Sequence, residues 1–279
     1  LFTMRDLNDA NSIEAFMKSG MRLLIVGGGY IGLEAAATAR KFGVDVTLVE
    51  IEERILKRVA AKETSDYIRS LHISNGVKIK EAIGLDKLEI VGEKVVNASL
   101  TDGSDINVDF VIVGIGITPN TYLAEVANLK INNGILVNEK CQTSVSNIYA
   151  AGDCTSFKYK NTLVRLESVG NAIDQATTVA QNIMKQNTSY TPKPWFWSDQ
   201  YDLKLQIAGL NTGYDEVVVR KGESRQVSHW YYKGQSLLAV DALNDPRCYM
   251  IGKRLIEANK SPSKNQLKNK NFNLKELLK

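Results

Sequence analysis

Gly27, Gly29 and Gly32 stand at the spacing G-x-G-x-x-G, directly behind the apolar run Leu23-Leu24-Ile25-Val26. An alanine-rich pattern of helical character, Glu34 to Phe42, opens after them. A second apolar run, Val46 to Val49, ends on Glu50, eighteen residues beyond Gly32. Strand, glycine turn, helix and a second strand closed by an acid are the context in which a dinucleotide is held. Gly27 permits the tight turn, and Gly29 omits a side chain where a pyrophosphate must approach the backbone. Gly32 lets the helix pack closely on the strand. Gly28, Tyr30 and Ile31 complete the cofactor-binding turn, whose free N–H groups, with the positive end of the helix, would face the phosphates. Glu50 can accept from ribose hydroxyls and repels a 2′-phosphate, so NAD is favoured over NADP. The first cation after it, Arg54, follows Ile51, Glu52 and Glu53 and is out of position. The plainer alternative for Glu50 is a solvated strand end.

A second group lies further along. Ile148-Tyr149-Ala150-Ala151-Gly152 reads as a small-residue strand ending on Asp153, whose carboxylate can accept from a polyol, although Ala-Gly-Asp is also a common turn. Cys141, Cys154 and Cys248 are widely spaced without a C-x-x-C pair, so neither a disulfide framework nor a metal site is expected. A reducing cytoplasm is then the default. No cysteine falls between Met21 and Gly116, which excludes a redox dithiol carried by the nucleotide unit. His72 reads as a capping or packing residue before the turn Asn75-Gly76, and His229 as a structural residue. Asp241 and Asp245 read as turn residues near Pro246.

The elements that must position these groups come from a chain of 279 residues, 44% hydrophobic and 24% charged, which suits an ordinary globular protein of two or more units. No segment approaches the roughly 18 uninterrupted apolar residues of a membrane span. The start, Leu1 to Asp6, has no signal-peptide pattern and no opening Met. Residues 1–20 form a lead-in with a helical pattern around Ala10 to Met17. A nucleotide unit covers 21–119, with a helix from about Ala60 to Leu71, a strand at Val77 to Lys80 and a meander between Lys87 and Leu100. It closes on the buried strand Val108 to Gly116, before the breaker Thr118-Pro119-Asn120. A second unit, 120–190, holds Gly134 to Val137 and a long helix from Asn171 to Lys185. After the linker Thr191-Pro192-Lys193-Pro194, residues 191–256 alternate as an antiparallel sheet. The net charge of +4 is concentrated in a basic tail, 257–279: from Lys253 on, eight Lys or Arg face two Glu. Such a tail reads as a solvated, loosely ordered end, or as an attraction for an acidic partner. No aromatic interleaving supports nucleic-acid binding.

The segments Ile148 to Asp153, Arg165 to Ala176 (RLESVGNAIDQA) and Trp195 to Tyr201 (WFWSDQY), in this order behind the glycine turn, resemble one family. It is the FAD-dependent ferredoxin or putidaredoxin reductases of the pyridine nucleotide-disulfide oxidoreductase superfamily. The resemblance covers the chain to about Leu243. It implies an α/β fold: a Rossmann-like NAD-binding domain inserted into a split FAD-binding domain, of which the C-terminal part is present, and a small α+β C-terminal domain. It implies that Gly27, Gly29, Gly32 and Glu50 hold NAD, with Glu34 and the Gly116 backbone near the nicotinamide end. Asp153 would bind the ribityl chain of FAD, Val169 would lie by the flavin ring at a helix N-terminus, and Arg5 would contact FAD. The family's own FAD glycine fingerprint has no counterpart here, so the chain reads as N-terminally truncated. The implied function is an NADH-dependent oxidoreductase passing electrons through FAD to an iron–sulfur ferredoxin or rubredoxin. Hydride transfer needs alignment more than an acid or base, so no catalytic side chain and no metal is expected. Neither histidine has the His-Pro setting of glutathione-reductase relatives. Trp195, Phe196 and Trp197 could line the electron route or anchor a domain. A nucleotide-binding module without flavin and a relative of apoptosis-inducing factor are the alternatives. Oligomeric state has no signature.

Overall fold

The computed structural model describes residues 1–160 and 162–278. The lead-in helix α1 (Leu7–Glu14) starts earlier than the pattern around Ala10 suggests, because the Asp6 carboxylate accepts from the N–H groups of Asn8 and Asp9. Then come β1 (Arg22–Val26), α2 (Tyr30–Lys41), β2 (Asp45–Glu50), α3 (Lys62–Ser74) and β3 (Lys78–Glu81). The meander β4 (Leu85–Val91), β5 (Lys94–Leu100) and β6 (Asp105–Asn107) leads into β7 (Phe110–Val113). Strands β3, β2, β1 and β7, in that order, form a parallel sheet. It is covered on both faces, which is why its central strand β1 and its neighbour β7 read as unbroken apolar runs. Leu23, Ile25 and Leu48 pack with Leu33 and Ala36 of α2, while Leu24, Val49 and Val111 pack with Ala98 and Leu100 of the meander. The first residues lie along β7, where Phe2 pairs with Ile112.

The next stretch holds α4 (Tyr122–Val126), β8 (Ile135–Leu136), β9 (Thr155–Tyr159), β10 (Thr162–Val164) and α5 (Val169–Ile183). The strand expected at Ile148 to Asp153 is not formed. Tyr149 makes one isolated bridge to Gln142, and the Ala150 N–H is taken by the Cys141 carbonyl in the same loop. Gly152, at φ 87°, then turns the chain at Asp153 into β9. The left-handed glycine, open to this turn and closed to a strand, is the physical reason for the difference.

Five antiparallel strands follow: β11 (Trp195–Gln200), β12 (Leu203–Gly209), β13 (Glu216–Lys221), β14 (Val227–Lys233) and β15 (Ser236–Leu243), ordered β11-β12-β15-β14-β13. The aromatic run at Trp195 is thus an edge strand. Leu203, Leu205, Val227 and Leu243 join the core of the nucleotide unit, so the two sheets share apolar packing through α2 and α3. On the opposite face Trp230, Tyr232 and Val240 lie under α6 (Pro246–Glu257). That helix was not foreseen. Asp245, read as a turn residue, is its N-cap, with Pro246 first in the helix. Asp241, read the same way, is buried within β15 instead, because Thr64 and Tyr231 satisfy its carboxylate there.

The basic end is ordered rather than loose. The short helix α7 (Lys264–Lys268) and a 3₁₀ turn (Leu274–Leu278) bury Leu267 and Leu274 against the sheet. Arg220 on β13 donates to the carbonyls of Leu267, Asn269, Lys270 and Phe272, at 2.7–3.1 Å. Four carbonyls gathered on one guanidinium cannot be replaced by an alanine, so Arg220→Ala should loosen residues 261–278 by about 3 kcal/mol. Limited trypsin digestion checks this: early cleavage at Lys268 or Lys270 is expected in the variant, and an unchanged digestion pattern would refute the staple. Among the described residues no helix is long and apolar enough to cross a membrane, and no group of three or more His, Cys, Asp or Glu is placed to hold a metal ion.

Candidate functional site

The glycine turn between β1 and α2 is built by contacts that leave no room for side chains. Gly27 sits at φ 109°, donates to the Val49 carbonyl at 2.9 Å, and a Cβ there would enter the shell of the Gly114 carbonyl oxygen. A Cβ on Gly28 would stand 2.7 Å from Ile55 Cγ2. On Gly32 it would collide with the Gly27 carbonyl, which is how closely α2 lies on the turn. Gly29 differs. As the N-cap of α2 it has extended backbone, and a Cβ there would meet only open space. The N–H groups of Gly29, Tyr30, Ile31 and Gly32 have no acceptor among the described residues, as the first turn of a helix requires. Four free amides and a half-open mouth, with the positive end of a 12-residue helix behind them, form a cradle for an anion. Ile31 is exposed at its rim.

Glu50 closes the cradle. Its Oε2 accepts from Gly28 N–H at 2.6 Å and its Oε1 from Glu52 N–H at 2.9 Å. The carboxylate therefore shapes the turn, and each of its oxygens keeps a second lone pair with which it can accept from a hydroxyl. Arg54 is turned away: its guanidinium donates to Ser65 Oγ and to the Ala60 carbonyl at the start of α3. Gly116, at φ 118°, lies past the end of β7, with the exposed Arg58 guanidinium 3.9 Å from where its Cβ would stand. Sequence reading missed Arg58, since no spacing rule ties it to Gly116.

Glu34 is one turn further along α2, half-buried. Its Oε1 accepts from Ser198 Oγ on β11 at 2.6 Å. Burial pushes its carboxyl up from the usual range, helped by the charge of Asp199, while the Ser198 hydroxyl and the Asp199 amide pull it back down. Beside it the Tyr30 ring packs on Phe196 at 5.0 Å, with the buried hydroxyl unpartnered among the described residues. Burial pushes that phenol well up.

The residues named for a flavin gather only in part. Gly152 N–H donates to Gln175 Oε1 on α5 at 2.7 Å, which brings the Asp153 turn against the first turns of that helix. Ser168 caps it by accepting from Asn171 N–H, and Val169 is exposed at its start. The amides of Val169 and Gly170 have no acceptor among the described residues, so the helix end can receive an anion. Buried Gln175 Nε2 and Arg165 Nε lack partners there too, so the turn has polar capacity to spare. Arg5, exposed near β7, forms no hydrogen bond or ion pair with Asp153 among the described residues. Trp195 and Trp197 stack at 5.4 Å; the Trp195 indole presses on Gly170 of α5, and Trp197 is 41% exposed. One aromatic thus anchors the sheet domain while its neighbour faces outward.

A parallel βαβ nucleotide unit, a helix-backed turn at Asp153 and an antiparallel C-terminal sheet define a two-nucleotide oxidoreductase architecture. A family model described as pyridine nucleotide-disulphide oxidoreductase matches residues 1–176, and one described as reductase C-terminal matches 195–278. The rhodocoxin reductase of Rhodococcus erythropolis is 38% identical over 98% of this chain and 64% of its own length. The 5,5′-dehydrodivanillate O-demethylase ferredoxin reductase subunit of Sphingobium is 40% identical over 99% of this chain and 68% of its own. The crystal structure of a covalent putidaredoxin reductase–putidaredoxin complex superposes with a TM-score of 0.94 at 38% identity, covering 99% of this chain and 67% of that one. The chain spans about two thirds of the length of these relatives. It belongs to the pyridine nucleotide-disulphide oxidoreductase family, alongside the ferredoxin and putidaredoxin reductases.

Proposed function

We propose that the chain binds NADH at the β1–α2 turn and, with FAD, passes electrons to a small iron–sulfur carrier of the ferredoxin or rubredoxin kind. The observation that carries this reading is the turn itself: free amides opening past Gly29, shut on one side by Glu50. Gly27, Gly28, Gly29, Tyr30, Ile31 and Gly32 would seat the pyrophosphate, Glu50 the adenosine ribose, and Glu34 with the Gly116 backbone the nicotinamide end. Asp153, the N-terminus of α5 at Val169, and Arg5 would hold FAD. FAD, when bound, supplies a two-electron acceptor that releases electrons singly. The chain's own residues orient and shield; none is required as acid, base or nucleophile. The organisation that goes with this is a lead-in (1–20), an NAD unit (21–119), a flavin-binding segment (120–190) and a sheet domain (191–256) followed by its basic end (257–279). We place the protein in the cytoplasm, where three free thiols, Cys141 and Cys248 among them buried and pushed up to about 11 and about 12, would persist.

Coenzyme choice is the test. The Glu50 carboxylate repels a 2′-phosphate, so NADH should bind roughly tenfold or more tightly than NADPH, and Glu50→Gln should bring the two close together. Isothermal titration with both coenzymes measures this. Equal affinities before and after the substitution would overturn the role of Glu50, and no binding of either would overturn the reading. A visible spectrum separates the enzyme from its alternative. Flavin bands bleached by NADH support the reductase, and a colourless chain that still binds NADH supports a nucleotide-binding module.

A further inference from the structure

Glu34 is the end of a hydrogen-bond chain that starts at Tyr201, in the hairpin turn after β11. With Glu34 ionised, its Oε1 can only accept, so Ser198 O–H donates to it at 2.6 Å. Ser198 Oγ then accepts from Gln200 Nε2 at 3.0 Å, which fixes the amide so that Gln200 Oε1 faces His72. That oxygen needs a donor, so His72 carries its proton on Nε2, 2.8 Å away. Its Nδ1 is left to accept from the Tyr201 hydroxyl at 3.3 Å. Every donor in the chain points toward the same carboxylate, and bonds aligned in this way reinforce one another. Ser198, Gln200 and His72 are fully buried, and burial lowers the His72 pKa, favouring the neutral imidazole, while the Gln200 hydrogen bond pulls the other way. Tyr201 is held at φ 58°, a backbone region that bulky residues seldom occupy, with its ring 5.1 Å from that of His72. The sequence binds these residues to three separate elements, α2, α3 and β11, with the hairpin turn after it, so the chain is a tertiary construction.

We propose that Ser198, Gln200 and His72 are positioning residues that hold the Glu34 carboxylate in place for the carboxamide of the nicotinamide ring. This rests on the NADH reading above and adds to it a recognition device supplied by the C-terminal domain. The strand order places the crevice between β1 and β7, with Glu50 on the β2 side, so the second half of a dinucleotide is directed away from Glu50 toward Gly114–Gly116. Glu34 is the carboxylate that α2 offers beyond the phosphate cradle. A neutral amide donates two hydrogens, and an acceptor fixed by a buried chain meets it without losing side-chain freedom on binding. Loss of the Ser198 hydroxyl frees Glu34 to turn but removes none of the hydrogen bonds made by Gly27, Gly28 or Glu50.

Two probes separate positioning from folding: NADH, and ADP-ribose, which has the pyrophosphate and adenosine but no nicotinamide. In the full chain, Ser198→Ala should weaken NADH about fivefold, consistent with one charged hydrogen bond held through a neighbour, and leave ADP-ribose within about twofold. Ser198→Cys keeps the volume with a feeble donor and should behave likewise, which covers the case in which the alanine variant folds poorly. Glu34→Ala should weaken NADH by as much or more, and adding Ser198→Ala to it should change nothing further. A parallel loss of both probes, additive effects of Ser198→Ala and Glu34→Ala, or an unchanged NADH to ADP-ribose ratio in both Ser198 variants would each overturn the proposal. Failure of the unmodified chain to bind either probe would instead overturn the coenzyme reading, and the positioning role with it.

Discussion

Gly32→Ala is expected to cost about 3 kcal/mol of stability or more and to abolish measurable NADH binding, whereas Gly29→Ala is expected to spare the fold and damage only binding. The contrast comes from where each new methyl would go. At Gly32 it would enter the Gly27 carbonyl, and that carbonyl belongs to a turn fixed by Gly27 N–H on Val49 and by Gly28 N–H on Glu50. Relief therefore requires α2 to lift from β1, taking Leu33 and Ala36 out of the core of the nucleotide unit. At Gly29 the backbone is extended and the methyl meets no protein atom, so stability should fall by no more than about 1 kcal/mol, the N-cap preference for glycine over alanine. The methyl would then occupy the space a pyrophosphate needs, and roughly a tenfold loss of affinity, about 1.4 kcal/mol, is a lower bound. Urea unfolding beside NADH titration measures both. A Gly29→Ala chain that binds NADH normally would show that the open space is not the phosphate seat. A Gly32→Ala chain of normal stability would show that α2 has slack.

The difference between these glycines was readable in advance because it is local. Strand, turn, helix and closing acid lie within 28 residues, and short-range sterics dictate what each position tolerates. The parallel sheet and the C-terminal sheet were legible for the same reason: apolar runs and β-branched or aromatic residues between turn signals mark strands locally. What sequence could not carry was anything assembled across domains. Ser198 meets Glu34 from 164 positions away, and His72 meets Gln200 from 128. His72 looked like a packing residue because nothing beside it in sequence is its partner. Arg220 gives no sign in a β pattern that it will gather four carbonyls from the basic end, so charge alone made that end look solvated. The strand expected at Ile148 failed for a different cause, since small apolar residues before Gly152 suit a turn as well as a strand.

The pH dependence of stability should expose a second cross-domain cluster, in which two buried groups cancel. Thr64 on α3 lies 2.8 Å from His229 Nδ1 and donates to Asp241 Oδ2 at 2.7 Å, so the imidazole must donate to the threonine oxygen. Tyr231 also donates to Asp241, and its own oxygen accepts from Ala61 N–H at the start of α3. Burial lowers His229 to about 4 and raises Asp241 to about 6. Between about pH 4 and 6 the unfolded histidine holds a proton that the folded one has lost, so its contribution to stability rises with pH. Over the same interval folded Asp241 holds a proton that the unfolded carboxyl has lost, so its contribution falls as pH rises. Each amounts to about 3 kcal/mol across the interval, and with opposite signs they leave little net slope. Asp241→Asn should therefore leave a chain whose stability, relative to the parent, climbs by about 3 kcal/mol from pH 4 to 6.5. His229→Asn, which can keep a donor near Thr64, should show the reverse slope of similar size. Urea unfolding at closely spaced pH values gives both curves. Variants that run parallel to the parent would mean that neither group changes its proton affinity on folding, and two slopes of the same sign would mean that the cluster holds its protons in another arrangement.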